Sequence, residues 1–109
     1  LFDWRSKVKY AKLVRDKIPE IITRSGDRPV TRVLDANVYQ QELRRKLQEE
    51  VTEFIESENI GELVDILEVL YTLAAEGGIS PPQLEEMRKQ KRKERGGFDC
   101  RIFLVEIIS

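Results

Sequence analysis

Histidine is absent from this 109-residue chain, and cysteine, methionine and tryptophan occur once each. Without imidazole there is no Ser-His-Asp or Cys-His nucleophilic machinery, no imidazole acid–base catalysis and no zinc site built on histidine. Cys100 alone closes no internal disulfide and offers too little thiol for a zinc or iron–sulfur centre. Sparse thiol suits a reducing compartment, and a cytoplasmic protein is expected. Long apolar runs are lacking as well. Glu68 interrupts the stretch from Ile66 to Ala75 and Glu106 the one from Ile102 to Ile108, so no membrane span is expected. No basic segment followed by an apolar core opens the sequence, and no signal peptide is expected. An excess of one charge is also missing: 19 basic and 20 acidic residues leave a formal charge of -1, which argues against a protein that coats nucleic acid. Any chemistry therefore falls to carboxylates, lysines, arginines or a hard metal.

What is present is a globular composition, 36% charged and 40% hydrophobic, sized for a single domain over 1–109 with a modest core. Residues 1–10 read as an N-terminal arm anchored by Phe2 and Trp4. The following segment turns helical, with Asp16 as a cap, Pro19 in the first turn and Gly26 as the stop. β-branched residues between turn signals predict a short strand over 29–34. Asp35 then caps a long helix over 36–56, whose Tyr39, Leu43, Leu47, Val51, Phe54 and Ile55 form an apolar stripe. A turn at 57–59 leads into a second helix ending near Glu76, with Asn59 and Glu62 forming a capping box and Leu63, Ile66, Leu67, Leu70 and Leu73 buried. Ser80, two prolines and Gln83 start a helix that runs through a basic tract to Arg95. Gly96 and Gly97 break it, and 98–109 reads as an extended segment that must be covered. The expected fold is mainly α: an antiparallel hairpin over about 36–76, flanking helices, and at most two short strands, 29–34 paired with 101–105.

The informative pattern is acidic. Glu50 and Glu53 are three apart on one helix, and Glu62 and Asp65 repeat that spacing on the next. In an antiparallel hairpin turning between Ser57 and Glu58, Glu50 lies level with Asp65 and Glu53 with Glu62. At 100° per residue Glu50 sits about 20° from Leu43 and about 40° from Phe54, with Glu53 about 60° further round. Four carboxylates at the edge of a helix seam repel one another unless some are protonated or a cation joins them. Oxygen ligands on helices suit Mg²⁺ or Mn²⁺, with water and phosphate oxygens completing the shell. The alternative is a set of ordinary solvated acids.

Glu49-Glu50-x-x-Glu53 followed by Glu62-x-x-Asp65 resembles the EExxE and ExxD motif of the all-α, MazG-like nucleotide pyrophosphohydrolases, a group that includes phosphoribosyl-ATP pyrophosphohydrolase. KLVRDKIPEII at 12–22 and RGGF at 95–98 resemble the flanks of a small subfamily, so the likeness runs from Lys12 to Leu104. The eight-residue gap between Glu53 and Glu62 is shorter than is common in the group, which bears on metal number and substrate choice more than on the fold. The resemblance implies Mg²⁺-dependent hydrolysis of a nucleoside triphosphate or related polyphosphate between its α- and β-phosphates. It also implies that Glu50, Glu53, Glu62 and Asp65 hold the metal, that sites form near subunit interfaces, and that Glu49 either orients or deprotonates the attacking water or faces solvent.

Polyphosphate needs cations, and the candidates are Lys12, Arg15, Lys17, Lys46 and Arg95. Lys46 could equally neutralise Glu50 one turn away. Arg95 is the best of the tract Arg88, Lys89, Lys91, Arg92, Lys93 and Arg95, because the glycine pair beside it lets backbone N–H groups approach phosphate. Trp4, Tyr10, Tyr39 and Tyr71 are available for stacking on a base, or for the core. Neither a GxxxxGK[ST] phosphate loop nor a GxGxxG turn is present. Two other readings stay open: a helical binding module using the basic helix, and a non-catalytic oligomeric scaffold. Three helices cannot cover the apolar surface, Ile102 to Ile108 included, so a homo-oligomer, dimer or tetramer, is expected.

Overall fold

The computed structural model describes residues 11–109. The arm expected over 1–10, with Phe2, Trp4 and Tyr10, lies outside the described residues. The fold is mainly α, with α1 at Ile18–Arg24, α2 at Ala36–Ser57, α3 at Gly61–Glu76 and α4 at Pro81–Arg95. No strand occurs among the described residues.

Local chemistry sets most boundaries. The Asp35 carboxylate accepts from the backbone N–H of Val38 at 2.9 Å and starts α2. At α4 the Ser80 hydroxyl accepts from the Gln83 N–H at 3.3 Å while the Gln83 side chain accepts from the Ser80 N–H at 2.8 Å, a reciprocal capping box ahead of the prolines. α1 opens differently from expectation: Lys17 occupies the cap and Asp16 makes no cap bond, Pro19 being sufficient to set the first turn. The hairpin turn also departs from the sequence reading. Glu58 ends α2 with a left-handed φ of 55°, and Asn59 accepts from the Gly61 N–H at 2.8 Å. Ile60, not Asn59, is the cap residue of α3, and the expected box with Glu62 does not form because that side chain turns inward and is buried.

α2 packs along α3, and α3 touches α4. Leu43 and Val69 are the buried apolar residues of this seam, with Tyr39, Leu47, Phe54, Ile66 and Leu73 half-buried. Val51, Ile55, Leu63, Leu67 and Leu70, expected inside, are exposed. A lone pair of packed helices shields one strip of each, and these five lie beyond it. The strand expected over 29–34 is irregular chain, with Val30 and Val33 exposed, and 101–105 does not pair with it. Neither segment finds a backbone partner, and isolated β-propensity does not make a strand without one. The extents of 63 × 32 × 23 Å fit a chain that leaves much apolar surface outside.

Candidate metal centre

Glu50 projects from the third turn before the end of α2, and Glu62 and Asp65 from the first turns of α3. The antiparallel hairpin brings one oxygen of each of these three carboxylates to within 4.8 Å of the others. Glu50 is 6% exposed and Glu62 only 1%; Asp65 is half-buried. One Glu50 oxygen faces the Lys46 ammonium at 3.2 Å, and its other oxygen, Oε2, is buried without a hydrogen-bond partner.

These carboxylates are electrostatically strained. Burial above all pushes the Glu50 carboxyl above its ordinary value. The hydrogen bond and charge of Lys46 oppose that rise, and Glu53 and Asp65 add to it. Glu62 is raised as well, by burial first, with the charges of Glu50 and Asp65 adding to it. Lys46 at Glu50 and Arg15 at Asp65 offset part of this charge. Glu50, Glu62 and Asp65 would hold a hard dication through these oxygens. The residues fit a hard dication: all-oxygen donors on two helices, with a buried orphan lone pair among them.

The other candidates fall into two groups. Glu53 is half-buried on α2 beside Glu50, close enough to act on its charge, but outside the 4.8 Å set. Glu49 is held by two ammonium groups, Lys12 at 3.0 Å and Lys46 at 3.5 Å. Arg15 donates to Asp65 at 2.7 Å. Lys12, Arg15 and Lys46 thus converge on the carboxylates, and Lys46 pairs with Glu50 as the helical spacing allows. Lys17 and Arg95 are exposed and make no ion pair with the cluster among the described residues. Two residues of the basic tract of α4 are engaged locally: Arg88 forks onto Glu85 at 2.6 and 2.9 Å, and Arg92 reaches Asp99 at 3.2 Å. A Cβ at Gly97 would collide with the Arg92 guanidinium, so this glycine makes room for an arginine. The pairings of Lys12 and Arg15, across 37 and 50 residues, left no local signal in the sequence.

Fold and site together define a mainly α protein whose helical hairpin gathers carboxylates and their counter-cations on one side. No family model matches the sequence, and no solved structure matches it. An uncharacterized protein of Mycolicibacterium smegmatis (strain ATCC 700084 / mc(2)155) is 54% identical over 43 residues, 39% of this chain and 44% of that protein. The chain thus matches less than half the length of that relative. No helix among the described residues is long and apolar enough to cross a membrane.

Proposed function

We propose that this chain is a metal-dependent nucleoside triphosphate pyrophosphohydrolase, cleaving between the α- and β-phosphates and releasing pyrophosphate. One observation carries the proposal: three carboxylates from two helices converge within 4.8 Å, one of them with a buried oxygen that has no protein partner. The resemblance of 49–53 and 62–65 to the MazG-like motif supports the same reading. Glu50, Glu62 and Asp65 would hold Mg²⁺ or Mn²⁺, with Glu53 joining them. When bound, the ion supplies Lewis-acid polarisation of phosphoryl oxygen and a more acidic water.

The chain's own groups supply the rest. Glu49, fixed between two lysines, orients a water and accepts its proton. Lys46, Lys12 and Arg15, which reach the same carboxylates, would offset the charge of arriving phosphate oxygens. Exposed apolar side chains on α2, α3 and 98–108 support a homo-oligomer, and the sparse thiol supports a cytoplasmic setting. The scaffold reading draws on those same apolar faces; it differs in predicting no turnover.

The deciding assay incubates the protein with Mg²⁺ and a panel of nucleoside triphosphates, phosphoribosyl-ATP included, and measures pyrophosphate and orthophosphate separately. Pyrophosphate with a monophosphate is expected. Orthophosphate as the sole phosphate product rejects α,β cleavage, and silence across the panel favours the scaffold.

A further inference from the structure

We infer that the segment from Lys12 to Lys17 is a basic strap over the carboxylate centre, in which Arg15 occupies at Asp65 the place that a dication takes, so that metal binding and release of the strap exchange with each other. The inference rests on the metal-centre reading above and adds a regulator to it.

Three observations lead there. The strap is tied to the hairpin by charge: Arg15 to Asp65 at 2.7 Å and Lys12 to Glu49 at 3.0 Å. It is only lightly held by packing, since α1, into which it runs, packs against no other helix among the described residues and Leu13 and Val14 are half-buried. Such an attachment detaches at modest cost, because ion pairs of this exposure are weak. The charges also balance in a telling way. Among the described residues, Glu49, Glu50, Glu53, Glu62 and Asp65 face Lys12, Arg15 and Lys46, so that deprotonation of all five acids leaves two negative charges over. One dication brings the set to neutrality.

The consequence is an exchange of partners. A dication drawing on Asp65 removes the charge that Arg15 pairs with, and the guanidinium is then free for an arriving phosphate, which its planar fork fits. Without the dication the same guanidinium is spent on Asp65 and is not offered to a polyanion. Arg15 thus acts through the centre as a positioning and gating residue.

The test is Mn²⁺ binding to the full chain, followed by titration calorimetry and by loss of the free-ion electron paramagnetic resonance signal. Arg15→Gln is expected to tighten Mn²⁺ about two- to fivefold, the scale of one partly exposed ion pair. Arg45→Gln, which removes the same charge from α2 and whose partner is Glu42 at 3.6 Å, is expected to leave the affinity unchanged. Arg15→Lys, which keeps the charge and loses the fork, falls between and serves if the glutamine variant does not fold. Unchanged or weaker binding in Arg15→Gln, with wild type still binding, overturns the strap while the metal centre stands. Equal tightening by Arg45→Gln also overturns it, as a bulk charge effect. Failure of wild type and Arg15→Gln alike to bind Mn²⁺ overturns the centre and the strap together.

Discussion

Replacing Lys46 by methionine keeps the aliphatic stem and removes the one cation among the described residues that pairs with Glu50. The ammonium stands 3.2 Å from the Glu50 carboxylate, with side chains 16% and 8% exposed. At an effective dielectric of about 20 that attraction is about 5 kcal/mol. Desolvation of both groups offsets roughly half of it, so removing the partner should cost about 2–3 kcal/mol, near the lower end for breaking a buried pair. For a chain of this size that is a fall of about 10 °C in Tm. Protonation of Glu50 offers an exit, because its pKa is already raised, and the deficit should shrink as pH falls. A bound dication should narrow it too: an ion at a hundred times its Kd adds about 2.7 kcal/mol to either protein, and the variant, with more repulsion to relieve once Lys46 is gone, should bind it more tightly and gain more. The measurement is thermal melting of both proteins with and without saturating Mg²⁺. A Tm gap of the same size in both conditions would show that no dication reaches Glu50, and would refute the reasoning.

Other expectations follow from the same geometry. Without metal, folded Glu50 and Glu62 hold protons that the unfolded chain releases above the ordinary glutamate value of 4.5. Their contribution to stability is therefore present at low pH and lost as pH rises through the raised values. Glu85, held low by its hydrogen bond to Arg88, works in the opposite sense, and its contribution fades as pH falls through its lowered value. Melts between about pH 5 and about pH 7 should show Tm falling with pH in chelator and rising in Mg²⁺, whose ligands must be deprotonated; a rising slope in chelator would contradict the assignment. Ser80→Ala should cost about 1 kcal/mol by removing half of the capping box, read as lower helicity and an earlier urea midpoint. Glu50→Leu with Glu62→Leu should melt higher than wild type in chelator and lose Mn²⁺ binding; a lower melting temperature would mean that the two acids serve the fold.

Where the sequence could be read, the deciding interaction was local. Asp35 and Ser80 cap their helices through groups three residues away, and α3 and α4 end at Glu76 and Arg95 because glycines follow. The hairpin itself was legible because two helical periods flank a short polar turn. The side-chain detail was not. The sequence pairs Glu53 with Glu62, yet Glu62 joins Glu50 and Asp65, because α3 starts at Gly61 after a left-handed residue and an Asx contact rather than at a capping box. Periodicity also overcounted the core: it marks which side chains share a face, and a two-helix seam covers only the centre of that face. The strap was beyond reach, since its ion pairs join residues 37 and 50 apart.

The distribution of burial bears on why the acids are there. Among the described residues the buried ones are Leu43, Val69, Glu50 and Glu62, so half of them are carboxylic acids. A chain with so few buried apolar side chains has little stability to spare, and apolar residues of similar size at 50 and 62 would serve its fold better, since buried charge seldom adds net stability. Solvated surface acids would explain a high count of glutamates but not two placed at the seam's most enclosed points. Strained, buried acids beside a third carboxylate are what a binding site needs and what a structural seam avoids. The near balance of acids and bases in the composition therefore hides two different arrangements. On α4, Arg88 and Arg92 are paired off with nearby acids on an exposed surface. At the hairpin, among the described residues, the acids outnumber the cations that reach them, and that surplus is what a dication would satisfy.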